Sequence, residues 1–202
     1  MVKLIPTLVT FSSLLSASTA LIALVMAPSS DARDVLVAAC IAWSMGADGL
    51  DGPLARRLNA QTSLGAHLDS LCDLTAFGVA PALWLVGRHG IELGALVVIP
   101  AVLWIGAAAF RLARFADNGV KKTGRFGPAF TGVPTPVAAA FLVCSVVLAT
   151  LVGQPLLEVA ALIVGVLLMP SHVAYPKAGI GRWPWVVAVP IAVALLARHA
   201  FA

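Results

Sequence analysis

The sequence predicts an all-α, polytopic integral membrane bundle of six to seven transmembrane helices, eight at most. Three observations predict it. Of 202 residues, 60% are hydrophobic and only 11% charged, and the mean hydropathy is +0.99. The charges fall between apolar runs, most of them near the roughly 20 residues needed to cross a bilayer. The basic residues are also distributed unevenly between alternate connections, as expected of a multispanning protein.

Seven runs follow in order. Leu4–Met26 comes after Lys3, outlasts a signal peptide and is followed by further spans, so it reads as a retained helix. Val35–Leu58 and Leu64–Val86 carry acidic residues and are taken up below. Ile91–Phe115 and Val133–Leu151 are long enough to cross unaided. Leu156–Met169 is short, which fits a tilted helix or one beside a re-entrant turn, and Pro184–Ala197 closes the series. The longest polar stretch, Ala116–Thr131, is rich in Gly, Lys and Arg and reads as a loop. Cys40, Cys72 and Cys144 lie within apolar runs without metal-ligand spacing and read as small buried hydrophobes. No linker, low-complexity tract or repeat divides the chain, so residues 1–202 form one domain.

Placing Arg56 and Arg57 in the cytoplasm and alternating from there puts Lys3, Arg56, Arg57, Arg111, Arg114, Lys121, Lys122, Arg125, Lys177 and Arg182 inside. Only Arg33, Arg88 and Arg198 fall outside. The net charge of +4 is thus a topology signal, and nucleic-acid binding is not needed to explain it. Trp183 and Trp185 fit an interfacial belt, whereas Trp43, Trp84 and Trp104 read as lipid- or core-facing.

Against this apolar background stand Asp48, Asp51, Asp69 and Asp73. Ionised carboxylates within a bilayer cost several kcal/mol each and mark functional positions. Spacings of three and four put each pair on one helix face. Facing each other, the pairs would concentrate carboxylate oxygens suited to hard divalent cations such as Mg²⁺ or Mn²⁺. Gly52 and Gly65 leave backbone bare for close approach. Ala55, two turns beyond Asp48 on the same face, leaves room for a ring or ribose, and Arg56 offers a forked donor to phosphate oxygens. Pro53 frees the Gly49 carbonyl. Metal, arginine and small residues together describe a site for a nucleotide diphosphate. Four intramembrane carboxylates also fit a divalent-cation transporter, but transport leaves Gly52, Ala55, Arg56 and Gly65 unexplained.

The string Asp48-x2-Asp51-Gly52-x2-Ala55-Arg56-x8-Gly65-x3-Asp69-x3-Asp73 resembles the signature of the CDP-alcohol phosphatidyltransferase family at every fixed position. The resemblance implies a helical membrane enzyme that moves a phosphatidyl or similar group from a CDP-linked donor to an alcohol, releasing CMP. It implies two divalent cations held by Asp48, Asp51 and Asp69, with Asp73 as ligand and general base. Gly52, Ala55, Arg56 and Gly65 would line the CDP pocket. It further implies a homodimer. The protein is expected in the cytoplasmic membrane of a prokaryote, and the asymmetry of the basic residues places the aspartates, and with them the active site, at the cytoplasmic face.

Three more stretches resemble the phosphatidylserine synthase branch of that family. They are Ile5-Pro6-Thr7-Leu8-Val9-Thr10, then Arg111-Leu112-Ala113-Arg114-Phe115 followed by Phe130-Thr131-Gly132-Val133-Pro134-Thr135-Pro136, and finally Tyr175-Pro176-Lys177. The sequence departs from that branch at Ala116 and Asp117, where an Asn is usual, and at His172, where an Arg is usual. The resemblance implies CDP-diacylglycerol as donor and L-serine as acceptor; inositol phosphate, glycerol phosphate or an amino alcohol would be the other acceptors within the same chemistry. Arg111 and Arg114, three apart on one face, could bind a serine carboxylate. They could equally anchor the end of their helix on the positive-inside side. Thr131 and Thr135, set among Gly132, Pro134 and Pro136, could present hydroxyls to the acceptor or simply cap a turn.

Overall fold

Seven helical rods carry the seven apolar runs in the computed structural model, which describes residues 5–118, 121–124, 127–176 and 183–200. They are α1 (Ile5–Met26), α2 (Asp31–Arg57), a long composite rod, α5 (Ala95–Asn118), α6 (Thr135–Val152), α7 (Leu156–Leu168) and α8 (Trp183–Ala200). The composite rod is α3 (Ser63–Asp73), a π-helical turn (Leu74–Val79) and α4 (Ala80–Leu93). Five rods are long and apolar enough to cross a bilayer, α7 and the Ala188–Arg198 part of α8 being shorter. At 13 residues, α7 is only about 20 Å long at 1.5 Å per residue, which matches the short run seen in the sequence.

The helix ends follow local chemistry. Ser30 caps α2 by accepting from the Arg33 N–H (3.3 Å), with Asp31 and Asp34 in the first turn and Arg56 and Arg57 in the last, each sign opposing the helix dipole. The α2 exit is a Schellman motif: the Ala60 N–H reaches the Ala55 carbonyl (2.9 Å) and the Asn59 N–H the Arg56 carbonyl (3.3 Å). Asn59 adopts φ 48°, a left-handed geometry that asparagine tolerates. Thr62 then caps α3, accepting from the Gly65 N–H at 3.0 Å. This tight turn lays α3 back beside α2.

Two expectations about boundaries are corrected. Arg33 and Asp34 belong to the buried first turns of α2, although the apolar run begins at Val35. Ile91 belongs to α4, which ends at Gly94 (φ 51°), so the following helix starts at Ala95. The π turn after Asp73 leads into Pro81 at the start of α4. Pro81 has no N–H for the Phe77 carbonyl four residues back, and the Trp104 indole N–H donates to that carbonyl instead, at 3.0 Å.

The polar stretch expected to be a loop is partly a small antiparallel sheet. Helix α5 runs on to Asn118, and β1 (Lys121–Gly124), β2 (Gly127–Thr131) and β3 (Ala174–Pro176) pair in that order. Phe130 lies opposite Tyr175, and Thr131 opposite Ala174. Of the basic residues used for orientation, Lys3, Arg125, Lys177 and Arg182 lie outside the described residues, as do the side chains of Lys121, Lys122, Trp183 and Trp185.

Packing brings α1 onto α2 through small residues. Ser13, Ala17 and Ala20 of α1 and Val37, Ala38 and Ser44 of α2 are all buried. Ser16 donates to the Cys40 carbonyl (3.1 Å), and Ser44 to the Ser13 carbonyl (3.3 Å). Small and hydroxylated residues of this kind let membrane helices approach closely. Elsewhere Trp84, Trp104, Phe77 and Leu142 fill the core, and Trp104 lies so close to Gly165 that a Cβ there would enter the indole ring. Trp43, Leu8 and Leu103 face outward, as lipid-exposed residues do. Cys40 and Cys72 are buried and all three cysteines are free.

Candidate active site

The α2–α3 hairpin delivers the aspartates to one place. Asp48, Asp51 and Asp69 each contribute a carboxylate oxygen to a group whose members lie within 4.8 Å of one another. Asp51 is buried and Asp48 and Asp69 are partly so. Like charges this close repel strongly in a low-dielectric setting unless cations lie among them. The donors are all hard oxygens, the set that suits Mg²⁺, Mn²⁺ or Ca²⁺. The residues present therefore fit a divalent metal.

Asp73 stands one turn further along the same face, is buried, and lies close enough to Asp48, Asp69 and Arg111 for their charges to interact. Arg111 is itself only 5% exposed and donates from Nη1 to the Thr135 hydroxyl at 3.3 Å. Its guanidinium also packs over the Phe115 ring, 5.4 Å from the centroid. A buried guanidinium beside the fourth aspartate is thus held by the first residue of α6.

The remaining predicted positions separate into two groups. Arg56 is exposed and folds back over Gly52, where a Cβ would sit 3.5 Å from Nη1. Ala55 gives its carbonyl to the helix exit. Gly65 sits under the cap, and a Cβ there would meet the Thr62 hydroxyl at 3.0 Å. These small residues line the hairpin turn next to the aspartates. Arg114 is different: it donates to the backbone carbonyls of Pro170 (2.7 Å), Thr131 (2.9 Å), Ser171 (3.0 Å) and Met169 (3.4 Å). It ties the Thr131 segment to the exit of α7, a fitting place for a cation at a helix C-terminus. Gly132 (φ 82°) completes this seam, since a Cβ would strike the Met169 carbonyl. The Gly132 N–H reaches the Val173 carbonyl at 2.8 Å. Sequence segments about 40 residues apart, Phe130–Thr135 and Ser171–Pro176, thereby meet on the aspartate side of the molecule.

Sequence reasoning missed one participant. The Thr10 hydroxyl of α1 donates to Asp51 Oδ2 at 2.8 Å. The Ile5–Thr10 stretch drew notice only as a whole, and the signal that would have isolated Thr10 is a hydroxyl on the helix face that packs on α2.

Comparison with known proteins agrees with this geometry. A family model described as CDP-alcohol phosphatidyltransferase matches residues 3–171. The chain belongs to that family. Among its relatives, a Methanocaldococcus jannaschii protein named CDP-diacylglycerol–serine O-phosphatidyltransferase is 34% identical over 157 residues, 77% of this chain and 71% of that protein. A Helicobacter pylori protein of the same name is 36% identical over 67% of this chain and 58% of its own length. One from Bacillus subtilis is 34% identical over 48% and 51%. Membership in a phosphatidyltransferase family argues against the cation-transporter reading.

Proposed function

We propose that this membrane-embedded CDP-alcohol phosphatidyltransferase transfers the phosphatidyl group of CDP-diacylglycerol to the hydroxyl of L-serine, releasing CMP. The observation that carries the reading is the convergence of Asp48, Asp51 and Asp69 beside a buried Asp73–Arg111 pair. The serine acceptor is supported by the names of the relatives and by a buried guanidinium suited to an amino-acid carboxylate.

In this reading Asp48, Asp51 and Asp69, with a contribution from Asp73, hold two divalent cations, Mg²⁺ or Mn²⁺. When bound, these supply charge neutralisation along the pyrophosphate and to the leaving phosphate. The chain's own groups do the rest. Arg56, Gly52, Ala55 and Gly65 accommodate the CDP head at the hairpin turn. Arg111 holds the serine carboxylate, with Thr135 fixing the guanidinium. Asp73 accepts the serine hydroxyl proton as that oxygen attacks the phosphorus nearer the lipid. Arg114, Thr131 and the seam at Gly132 shape the wall on the acceptor side. The acyl chains stay in the bilayer.

The site faces the cytoplasm in this reading, as the basic residues imply. Cysteines introduced at Asp117 and at Gln154, both exposed and at opposite ends of the bundle, test it. Asp117→Cys should react only from the cytoplasmic side and Gln154→Cys only from outside; the reverse pattern refutes the orientation. The family resemblance also implies a homodimer, which crosslinking in native membranes tests. For the activity, purified protein is given CDP-diacylglycerol, Mn²⁺ and one of serine, inositol phosphate, glycerol phosphate or ethanolamine. Phosphatidylserine is the expected product, and faster CMP release with another acceptor refutes the serine assignment.

A further inference from the structure

Helix α1 lies outside the eight-residue aspartate pattern, yet it places a hydroxyl on one of the carboxylates. Thr10 is 5% exposed and Asp51 7%, and Oγ1 is 2.8 Å from Asp51 Oδ2. The same Oγ1 is 3.1 Å from the Pro6 carbonyl, one turn back on its own helix. A hydroxyl has one proton, so it serves one acceptor at a time. The carboxylate is nearer and charged, and charge-assisted bonds are about twice as strong as neutral ones, so the proton goes to Asp51. Position 10 is reached because α1 and α2 pack closely through Ser13, Ser16, Cys40 and Ser44.

We infer that Thr10 is a positioning residue for the metal centre: its hydroxyl fixes the rotation of the Asp51 carboxylate and so sets the oxygen that Asp51 turns toward Asp48 and Asp69. Outer hydrogen-bonding partners of metal-ligating carboxylates orient them, and their loss weakens metal binding by 10–100-fold. Without the hydroxyl, the buried Asp51 carboxylate loses a fixed donor and can rotate. Serine keeps the donor. Valine keeps the shape and removes it. The inference rests on the metal reading of the aspartate cluster.

The test measures Mn²⁺ binding directly, by electron paramagnetic resonance of free Mn²⁺, on full-length protein in detergent without lipid substrate. Wild type, Thr10→Val, Thr10→Ser and Asp48→Ala are compared, with thermal unfolding in EDTA measured beside them. Thr10→Val should bind Mn²⁺ roughly ten- to a hundred-fold more weakly, Thr10→Ser close to wild type, and Asp48→Ala not at all. Unfolding in EDTA should be nearly the same for wild type and Thr10→Val, which separates positioning from simple packing. Should the valine variant not fold, Thr10→Ala is read in its place. Saturable binding by wild type with equal affinity in Thr10→Val overturns this inference alone. No saturable binding by wild type overturns the metal reading and this inference with it.

Discussion

Helix α2 carries buried charge at both ends, and the two ends solve the problem of burial in opposite ways. Near its start, Asp34 meets Arg33 and Arg88. Arg88 also reaches Glu158 through Nε (3.3 Å) and Nη2 (3.2 Å), His89 meets the same carboxylate at 2.9 Å, and the Trp84 indole donates to Asp34 at 2.8 Å. Two guanidinium groups face two carboxylates, and the cluster is closed on itself. About 21 Å further along, at 1.5 Å per residue, four carboxylates gather around a site where Arg111 is the buried cation seen to interact with them. The first cluster pairs its carboxylates with guanidinium groups; among the described residues the second gathers more negative charge than positive. The difference separates a structural ion network, tying α2, α4 and α7, from a carboxylate group that could hold a metal ion.

The largest effects should come from the unbalanced end. Replacing Asp48, Asp51 or Asp69 by Ala should abolish CMP release while the protein still folds, because removing one of several close carboxylates lowers their mutual repulsion. Near wild-type turnover in any of the three at low metal concentration would break the comparison at its functional end. Asp73→Asn keeps the shape but removes the proton acceptor. Its kcat should fall on the order of a hundred-fold or more, with CDP-diacylglycerol binding retained by calorimetry. Lost donor binding would make Asp73 chiefly a ligand.

The balanced end should show the converse. Glu158→Gln leaves Arg88 and His89 without their carboxylate in a site where Glu158 is 1% exposed. Breaking a buried pair from one side costs about 3–5 kcal/mol, so unfolding in detergent should occur at markedly lower temperature, while the kcat of the folded fraction stays near wild type. A large loss of kcat with unchanged stability would erase the division between the two ends. A smaller, sharper effect concerns the acceptor. Arg111→Gln should raise the KM for serine roughly ten- to a hundred-fold, the equivalent of about 1.5–3 kcal/mol for a charge-assisted contact. Arg114→Gln should raise it less and lower stability instead, because its guanidinium is engaged by four backbone carbonyls. Equal KM changes in the two variants would return both to one role.

The rods and the aspartate hairpin were legible because each rests on a local pattern: long apolar runs, and carboxylates three and four apart. What could not be read depends on partners distant in sequence. Arg33 and Arg88 read only as charges on the outer side of the membrane, since nothing nearby announces that Asp34 and Glu158, on two different helices, enclose them. The sheet joins Gly127–Thr131 to Ala174–Pro176, strands of five and three residues that are too short to show alternation. Arg111 and Arg114 share a helix face in the sequence, yet one meets the aspartates and the other the exit of α7, a split that only the packing of α6 and α7 decides. Thr10 belongs to the same class, a single hydroxyl whose meaning lies on another helix.

The most direct test of a cation-requiring transfer site is serine-dependent CMP release from CDP-diacylglycerol by purified protein stripped with EDTA and then titrated with Mn²⁺ or Mg²⁺. The account predicts no release in EDTA, full recovery on adding either cation, and no recovery in Asp48→Ala. It also predicts that Glu158→Gln, assayed below its unfolding temperature, recovers over the same cation range as wild type. Release that persists in EDTA, or that returns in Asp48→Ala, would contradict it.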